Sequence, residues 1–373
     1  MLSWKKLGEC CNLEKGATPI QKAIPGEYPL VVTSPIRRSC NTYQFDKPSV
    51  CVPLVSSRGH GVASLNQVFY QEGKFALGNI LCSVTPYESD LNARYLYYYL
   101  NTFKDSKIVP LMTGGANVSL TVKKLSTVRI CYPSLFEQER IVSILDTFTS
   151  SIANLKEQIK ERRKQYEHYR DQLLDLEGKD GVEMKTLGET CSFRNGYAFK
   201  SGKFKETGLP IIRITNISNN NIDLEDCKYF DTSDYRGVNF TDFAIIKGDI
   251  LIAMSGATTG KVGIYKYSHI SYLNQRVGKF MPDIKKLDKR FLYHYLLGKN
   301  QEIYLLAGGG TQPNLSSNKL MSELYIPIPS KEEQSRIVTI LDQFEASIAN
   351  LEAQLKEREK QYEYYRNQLL TFE

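Results

Sequence analysis

EQERIVSILDTFTSSIANLKEQIKERRKQYEHYRDQLLDLE runs from Glu137 to Glu177, and EQSRIVTILDQFEASIANLEAQLKEREKQYEYYRNQLLTFE runs from Glu333 to Glu373. The two stretches are identical at 28 of 41 positions at a constant offset of 196. Self-similarity at so long a period signals a duplicated architecture. In the first copy Ile141, Leu145, Phe148, Ile152, Leu155, Ile159, Arg162, Tyr166, Tyr169, Leu173 and Leu176 alternate at spacings of four and three. In the second, Ile337, Leu341, Phe344, Ile348, Leu351, Leu355, Arg358, Tyr362, Tyr365, Leu369 and Phe372 repeat the pattern. Neither stretch contains Pro or Gly. Such a seam flanked by charges predicts coiled-coil packing, and the duplication predicts that the two helices pair antiparallel about a pseudo-two-fold axis. Arg162 and Arg358 share one seam position. The readings that stay open there are a stem that covers apolar surface while its head reaches water, and a register device or a contact to partner helices.

The net charge of +7 is unevenly spread. Residues 1–136 carry +7 and residues 178–332 carry +5, whereas the two helices carry −2 and −3. Basic globular segments beside acidic helices suit a polyanionic partner, because phosphate neutralisation dominates nonspecific DNA affinity. The eight cysteines include the adjacent pair Cys10 and Cys11, but there is no CxxC, and the four histidines complete no zinc-ligand spacing. The expectation is a reduced cytoplasmic protein with no metal site. No charged-then-apolar leader and no long apolar run point to a membrane.

The duplication continues faintly outside the helices. Arg94-Tyr95-Leu96-Tyr97-Tyr98-Tyr99-Leu100 matches Arg290-Phe291-Leu292-Tyr293-His294-Tyr295-Leu296 at the same offset of 196. Lys5-Lys6-Leu7-Gly8 resembles Lys185-Thr186-Leu187-Gly188, and the Gly114-Gly115 turn resembles Gly308-Gly309-Gly310. Short β-rich runs at 28–33, 50–55, 80–85, 209–217, 250–254 and 261–267, with helices around 94–103 and 290–300, predict an α+β fold. The chain therefore reads as a domain over 1–136, a helix over 137–177, a domain over 178–332 and a helix over 333–373. Pro210 to Asn216 lines up loosely with Pro29 to Pro35, which sets Arg213 against Val32 and Asn216 against Pro35. One frame with different polar tips predicts two different targets.

Catalytic signatures are missing from the sequence. It has no NPP[FY] or DPPY loop and no Gly-rich cofactor loop after a strand. Gly256-Ala257-Thr258-Thr259-Gly260-Lys261 is one residue short of a phosphate-binding loop, and Val262 stands where Ser or Thr is needed. Pro282-Asp283 lacks the acidic-x-Lys partner of a nuclease motif, and Cys191, Ser255 and the histidines show no nucleophile arrangement. A binding protein fits better than a methyltransferase or nuclease acting alone, or than a coiled-coil scaffold with ligands other than DNA.

With these features together, the chain resembles the specificity subunit of type I DNA restriction–modification systems. The resemblance rests on Glu137-Gln138-Glu139-Arg140-Ile141-Val142 and Glu333-Gln334-Ser335-Arg336-Ile337-Val338, the preceding Pro133 and Pro329, the run Gly248 to Gly256, and Asn274-Gln275-Arg276-Val277. It implies two α+β target-recognition domains, each reading half of a bipartite double-stranded DNA site, separated by two long helices forming an antiparallel coiled coil. It implies two methylation subunits that use S-adenosylmethionine, and two restriction subunits that use ATP and Mg. A related methyltransferase–nuclease system is the alternative home. The first domain departs most, with Ser56 to Gly61 standing in place of the loop Ser255 to Lys261.

Arg and Lys pair with guanine edges or phosphates, and Asn and Gln pair with adenine. The candidate DNA contacts are Arg37, Arg38, Ser57, Arg58, His60 and Asn117 in the first domain. In the second they are Arg213, Asn216, Thr258, Thr259, Lys261, Gln275, Arg276, Gln312 and Asn314. The candidate helix-packing and partner positions are Leu145, Phe148, Ile152, Leu155, Ile159, Tyr166, Tyr169, Leu341, Phe344, Ile348, Leu351, Leu355, Tyr362 and Tyr365.

Overall fold

A computed structural model describes residues 2–218, 220–310 and 313–372. The two repeats are continuous helices, Leu135–Leu174 and Lys331–Leu370. Each of these 40-residue helices is roughly 60 Å long at about 1.5 Å per residue. The chain divides into two compact units, Met1–Lys156 with Ala353–Glu373, and Glu157–Glu352. The sequence suggests helices that stand apart from the domains. Instead, each unit takes half of one helix and half of the other, because the seam residues nearest each domain complete its core.

In unit 1, β1 (Ser3–Lys6) pairs antiparallel with β9 (Arg129–Tyr132) beside the helices. A four-stranded sheet has the order β2 (Cys11–Lys15), β8 (Leu81–Pro86), β5 (Ser49–Pro53), β6 (Phe69–Gln71). A smaller sheet sets β3 (Tyr28–Val31) between β4 (Arg38–Cys40) and β7 (Ala76–Leu77). The helix Ala93–Phe103 packs across the core, and the Asn92 side chain caps it by accepting from the Arg94 and Tyr95 N–H groups.

Unit 2 repeats this plan. β10 (Glu183–Thr186) pairs with β21 (Tyr325–Ile328). The larger sheet begins β11 (Cys191–Asn195), β20 (Val277–Pro282), β17 (Ile250–Ala253), β18 (Val262–Ile264), the same order as in unit 1. It then continues into β14 (Asn221–Ile222) and β13 (Ile217–Ser218). The smaller sheet has the order β15 (Lys228–Phe230), β12 (Leu209–Ile212), β19 (Ser271–Leu273), β16 (Ala244–Ile245). β3 and β12 pair in parallel with β7 and β19, Leu30 opposite Ala76 and Ile211 opposite Tyr272. This pairing supports the alignment of Pro29 with Pro210. The units differ after those strands. Residues 32–37 make a plain turn, whereas residues 213–227 hold the two extra strands.

The helix halves pack alike in both units. In unit 1 Phe148 stacks on Tyr365 at 5.4 Å, Arg358 lies 5.6 Å from the Phe148 ring, and Lys156 pairs with Glu359. In unit 2 Phe344 stacks on Tyr169 at 5.4 Å, Arg162 lies 5.9 Å from the Phe344 ring, and Arg163 pairs with Glu352. Rising numbers on one half meet falling numbers on the other, so the seam runs antiparallel within each unit. Ile141, Leu145 and Leu370 are buried in the unit 1 core, and Leu174, Leu176, Ile337 and Leu341 in the unit 2 core. Tyr166, Leu155 and Ile159 are also buried, while Ile152, Ile348, Leu351, Leu355 and Tyr362 are half-buried. Both seam arginines lie over an aromatic ring, which fits the reading of a stem covering apolar surface.

A buried glutamine ties each helix to its domain. Gln138 accepts from the Asn92 N–H at 2.9 Å and donates to the Asp90 and Pro133 carbonyls. Gln334 does the same with the Asp288 N–H and the Lys286 and Pro329 carbonyls. Both are fully buried. All eight cysteines are buried free thiols, and burial pushes Cys51 and Cys191 up to about 12. No helix among the described residues is long and apolar enough to cross a membrane.

Candidate nucleic-acid interface

In unit 2 two loops form one surface. The loop after β17 turns through Gly256 (φ +77°) and Gly260 (φ +83°), left-handed positions where a side chain would be strained. The Gly260 N–H donates to the Ala253 carbonyl at 2.9 Å and closes the turn. The loop is stitched to residues 313–315 by a bridge between Ser255 and Asn314 and by bonds from the Gly256 N–H to the Pro313 carbonyl and the Leu315 N–H to the Met254 carbonyl. Arg276 joins this surface at the head of β20. Its carbonyl accepts from the Met254 N–H at 2.8 Å, and its Nη1 donates to Asn314 Oδ1 at 3.1 Å. Lys261, Gln275, Arg276 and Asn314 are exposed there, and half-buried Thr258 bonds the Ile214 carbonyl at 3.4 Å. That bond brings the segment 213–216 alongside the loop. Arg213 lies on this flank, held by the Asp226 carbonyl at 3.0 Å and its carboxylate at 3.7 Å.

Unit 1 builds the corresponding surface from a longer loop, residues 54–68 against 254–261. Val55 and Thr113 both bridge to Ser119, and the Gly61 N–H reaches the Ala116 carbonyl. His60 sits at the exposed tip with φ +59°, an uncommon conformation for a residue with a side chain. Arg58, His60 and Asn117 are exposed together here. Ser57 Oγ accepts from the Asn66 N–H at 2.9 Å and shapes the loop. Where unit 2 has Arg276 and Asn314, the matching frame positions of unit 1 are Ile80 and Ser119.

Three candidates from the sequence point inward. Asn216 is buried, accepts from the Arg213 N–H at 2.9 Å and donates to the Asp223 carbonyl at 2.9 Å, so its amide is consumed by the turn after β12. Thr259 is buried and its hydroxyl lies 2.7 Å from the Gly256 carbonyl and 3.2 Å from that of Pro313. Arg37 donates to Gln71 Oε1 and the Tyr70 carbonyl and lies 5.1 Å from the Phe69 ring, and burial lowers its pKa. Asn216 and Thr259 satisfy backbone groups of their own loops, and Arg37 is tied to β6 through Nε and Nη2 while its Nη1 is buried without a partner. Arg38 is exposed on β4, and its Nη1 reaches the Ile20 carbonyl at 3.5 Å. Gln312 lies outside the described residues.

Where the helix Lys289–Gly298 meets the helix Lys331–Leu370, His294, Asp342 and Glu345 bring three ligand atoms within 4.8 Å of one another. Arg290 already supplies a cation there, bonding Asp342 at 2.5 Å and Glu345 at 2.5 Å. Burial opposes the charge on Arg290, but the two carboxylates outweigh it and raise its pKa. Burial likewise raises Asp342, and hydrogen bonds from His294 and Arg290 overcome it, leaving the carboxyl below its ordinary range.

A duplicated frame with differing polar loops is the decisive observation, and the comparisons agree with it. The family model described as "Type I restriction modification DNA specificity domain" matches residues 1–162 and again 179–360. The chain belongs to the family of type I restriction–modification specificity subunits. A putative type I specificity subunit of Haemophilus influenzae is 35% identical over all of this chain and 96% of its own length. The EcoR124I/EcoR124II specificity subunit of Escherichia coli is 33% identical over 75% of this chain and 70% of its own. The crystal structure of the Mycoplasma genitalium S subunit shares the fold with a TM-score of 0.69 at 18% identity, covering 100% of this chain and 97% of that one. As a member of this family, the chain is a DNA sequence-specificity subunit that assembles with other restriction–modification subunits.

Proposed function

We propose that each unit reads one half of a bipartite, asymmetric double-stranded DNA site, and that the paired helices set the distance between the halves and dock two methylation subunits. The observation that carries this reading is one frame with two different surfaces. Arg276, Asn314 and Lys261 in unit 2 correspond to Ile80, Ser119 and a longer loop bearing Arg58 and His60 in unit 1. In this reading the chain contributes recognition. The methylation subunits bring S-adenosylmethionine and modify adenine at N6 by base flipping, and two restriction subunits, using ATP and Mg, complete the nuclease. A net +12 on residues 1–136 and 178–332 together supplies the salt-sensitive part of DNA affinity. The test is genome-wide methylation mapping in cells with and without the chain, alongside its methylation subunits. An interrupted motif with two unlike halves, present only with the chain, is expected. A perfect interrupted palindrome, or unchanged methylation, contradicts the proposal.

A further inference from the structure

Arg276 differs from the other arginines near the unit 2 surface. Arg213 is held by Asp226 and Arg194 faces Asp242, whereas Arg276 has no carboxylate partner among the described residues. Among the described residues its side chain bonds a neutral amide, Asn314 Oδ1 at 3.1 Å from Nη1. Both ends of that contact are fixed by backbone. The Arg276 carbonyl accepts from Met254, and Asn314 bridges to Ser255 and donates its N–H to the Ala307 carbonyl. A guanidinium carries five N–H donors in a rigid plane. With Nη1 engaged by Asn314, the Nε–Nη2 edge remains as two parallel donors on an exposed side chain. That edge matches the O6 and N7 acceptors of guanine in the major groove, and it forms without first breaking an ion pair.

We infer that Arg276, oriented by Asn314, is the specificity-determining residue for one G·C base pair in the half-site read by unit 2. This rests on the DNA-reading function proposed above. Ile80 and Ser119 at the matching positions leave unit 1 without this fork, so the contact belongs to one half-site only.

The experiment uses the full chain assembled with its methylation subunits, as wild type, Arg276→Ala, Arg276→Lys, Arg276→Gln and Asn314→Ala. Methylation is mapped on a randomised DNA library, and binding to the wild-type motif is measured at two salt concentrations. Arg276→Ala is expected to relax one guanine position in one half-site by roughly ten- to a hundredfold, leaving the other half-site and the salt slope unchanged. Arg276→Lys should lose part of that discrimination because it has no fork, and Arg276→Gln should move preference at that position toward adenine. Asn314→Ala should relax the same position by a smaller factor. Thermal melting of each assembly checks folding, and the three stems of different length keep the result readable if one variant misfolds. Uniform weakening over all sequences with a shallower salt slope would assign Arg276 to phosphate and overturn the inference, as would an unchanged motif. Failure of the wild-type assembly to methylate any specific motif would instead overturn the DNA-reading proposal.

Discussion

The two helix–domain junctions share one plan and differ in chemistry. In unit 1 Arg94 pairs with Asp146 at 2.9 Å, the Tyr98 hydroxyl donates to the same carboxylate, and Thr149 lies beside them. In unit 2 the matching residues are Arg290, Asp342, His294 and Glu345. His294 is fully buried, with Nδ1 on the Tyr166 hydroxyl at 2.9 Å and Nε2 on Asp342 at 2.7 Å. One junction is a single ion pair with neutral hydroxyls, and the other is a network of four ionisable groups. The Gln138 and Gln334 links are unchanged between them. Backbone anchoring is thus held constant, while the side chains around it differ.

The largest effect should come from the part the junctions share. Replacing Gln138 or Gln334 with Leu strands one N–H and two carbonyls, each unmet buried group costing about 1–3 kcal/mol. Urea denaturation should show a loss of roughly 3 kcal/mol or more for either variant. Near-neutral behaviour of one alone would break the equivalence of the two junctions. Arg290→Met should cost more than Arg94→Met, about 2 against about 1 kcal/mol, because it leaves two partly buried carboxylates facing each other rather than one. Equal losses would mean that Glu345 adds nothing to the network.

A smaller effect concerns pH. The folded-state pKa of Asp342 is depressed, so its contribution is complete above the unfolded value, near 4, and is lost as pH falls through the lower folded value. Because the Asp342 side chain is 40% exposed, solvent screening holds the contribution to less than about 1 kcal/mol. Comparing denaturation midpoints of wild type and Asp342→Asn between neutral pH and acid should show the difference shrinking in that window. The smallest effect is at the seam, where Arg162→Met and Arg358→Met should each cost about 0.5–1 kcal/mol through loss of the ring contact.

The helices were legible because a strict apolar period survives in both copies, and the seam residues lie where that period puts them. The β3 and β12 correspondence was legible from Pro29 and Pro210, whose following residues do share a sheet register. The strands in 213–222 were not legible, because two-residue strands among asparagines carry no alternation, and they pair with each other and, through β14, with distant β18. Asn216, Thr259 and Arg37 misled for a related reason. Their polar groups answer backbone groups that only the folded chain brings near. Gln138 and Gln334 were missed as buried anchors, although the words EQER and EQSR, each starting four residues after a proline, repeat in both copies. The division of each helix between two units was also hidden, because periodicity gives a seam but not the domain that covers it.

The central claim, that two like frames carry two different readers, is tested most directly by exchange. Replacing residues 11–122 of unit 1 with the matching residues 191–317 of unit 2, and mapping methylation with the same methylation subunits, should give a motif whose two half-sites are the same sequence in inverted orientation. A motif identical to that of the wild-type chain, or one in which both original half-sites change, would contradict it.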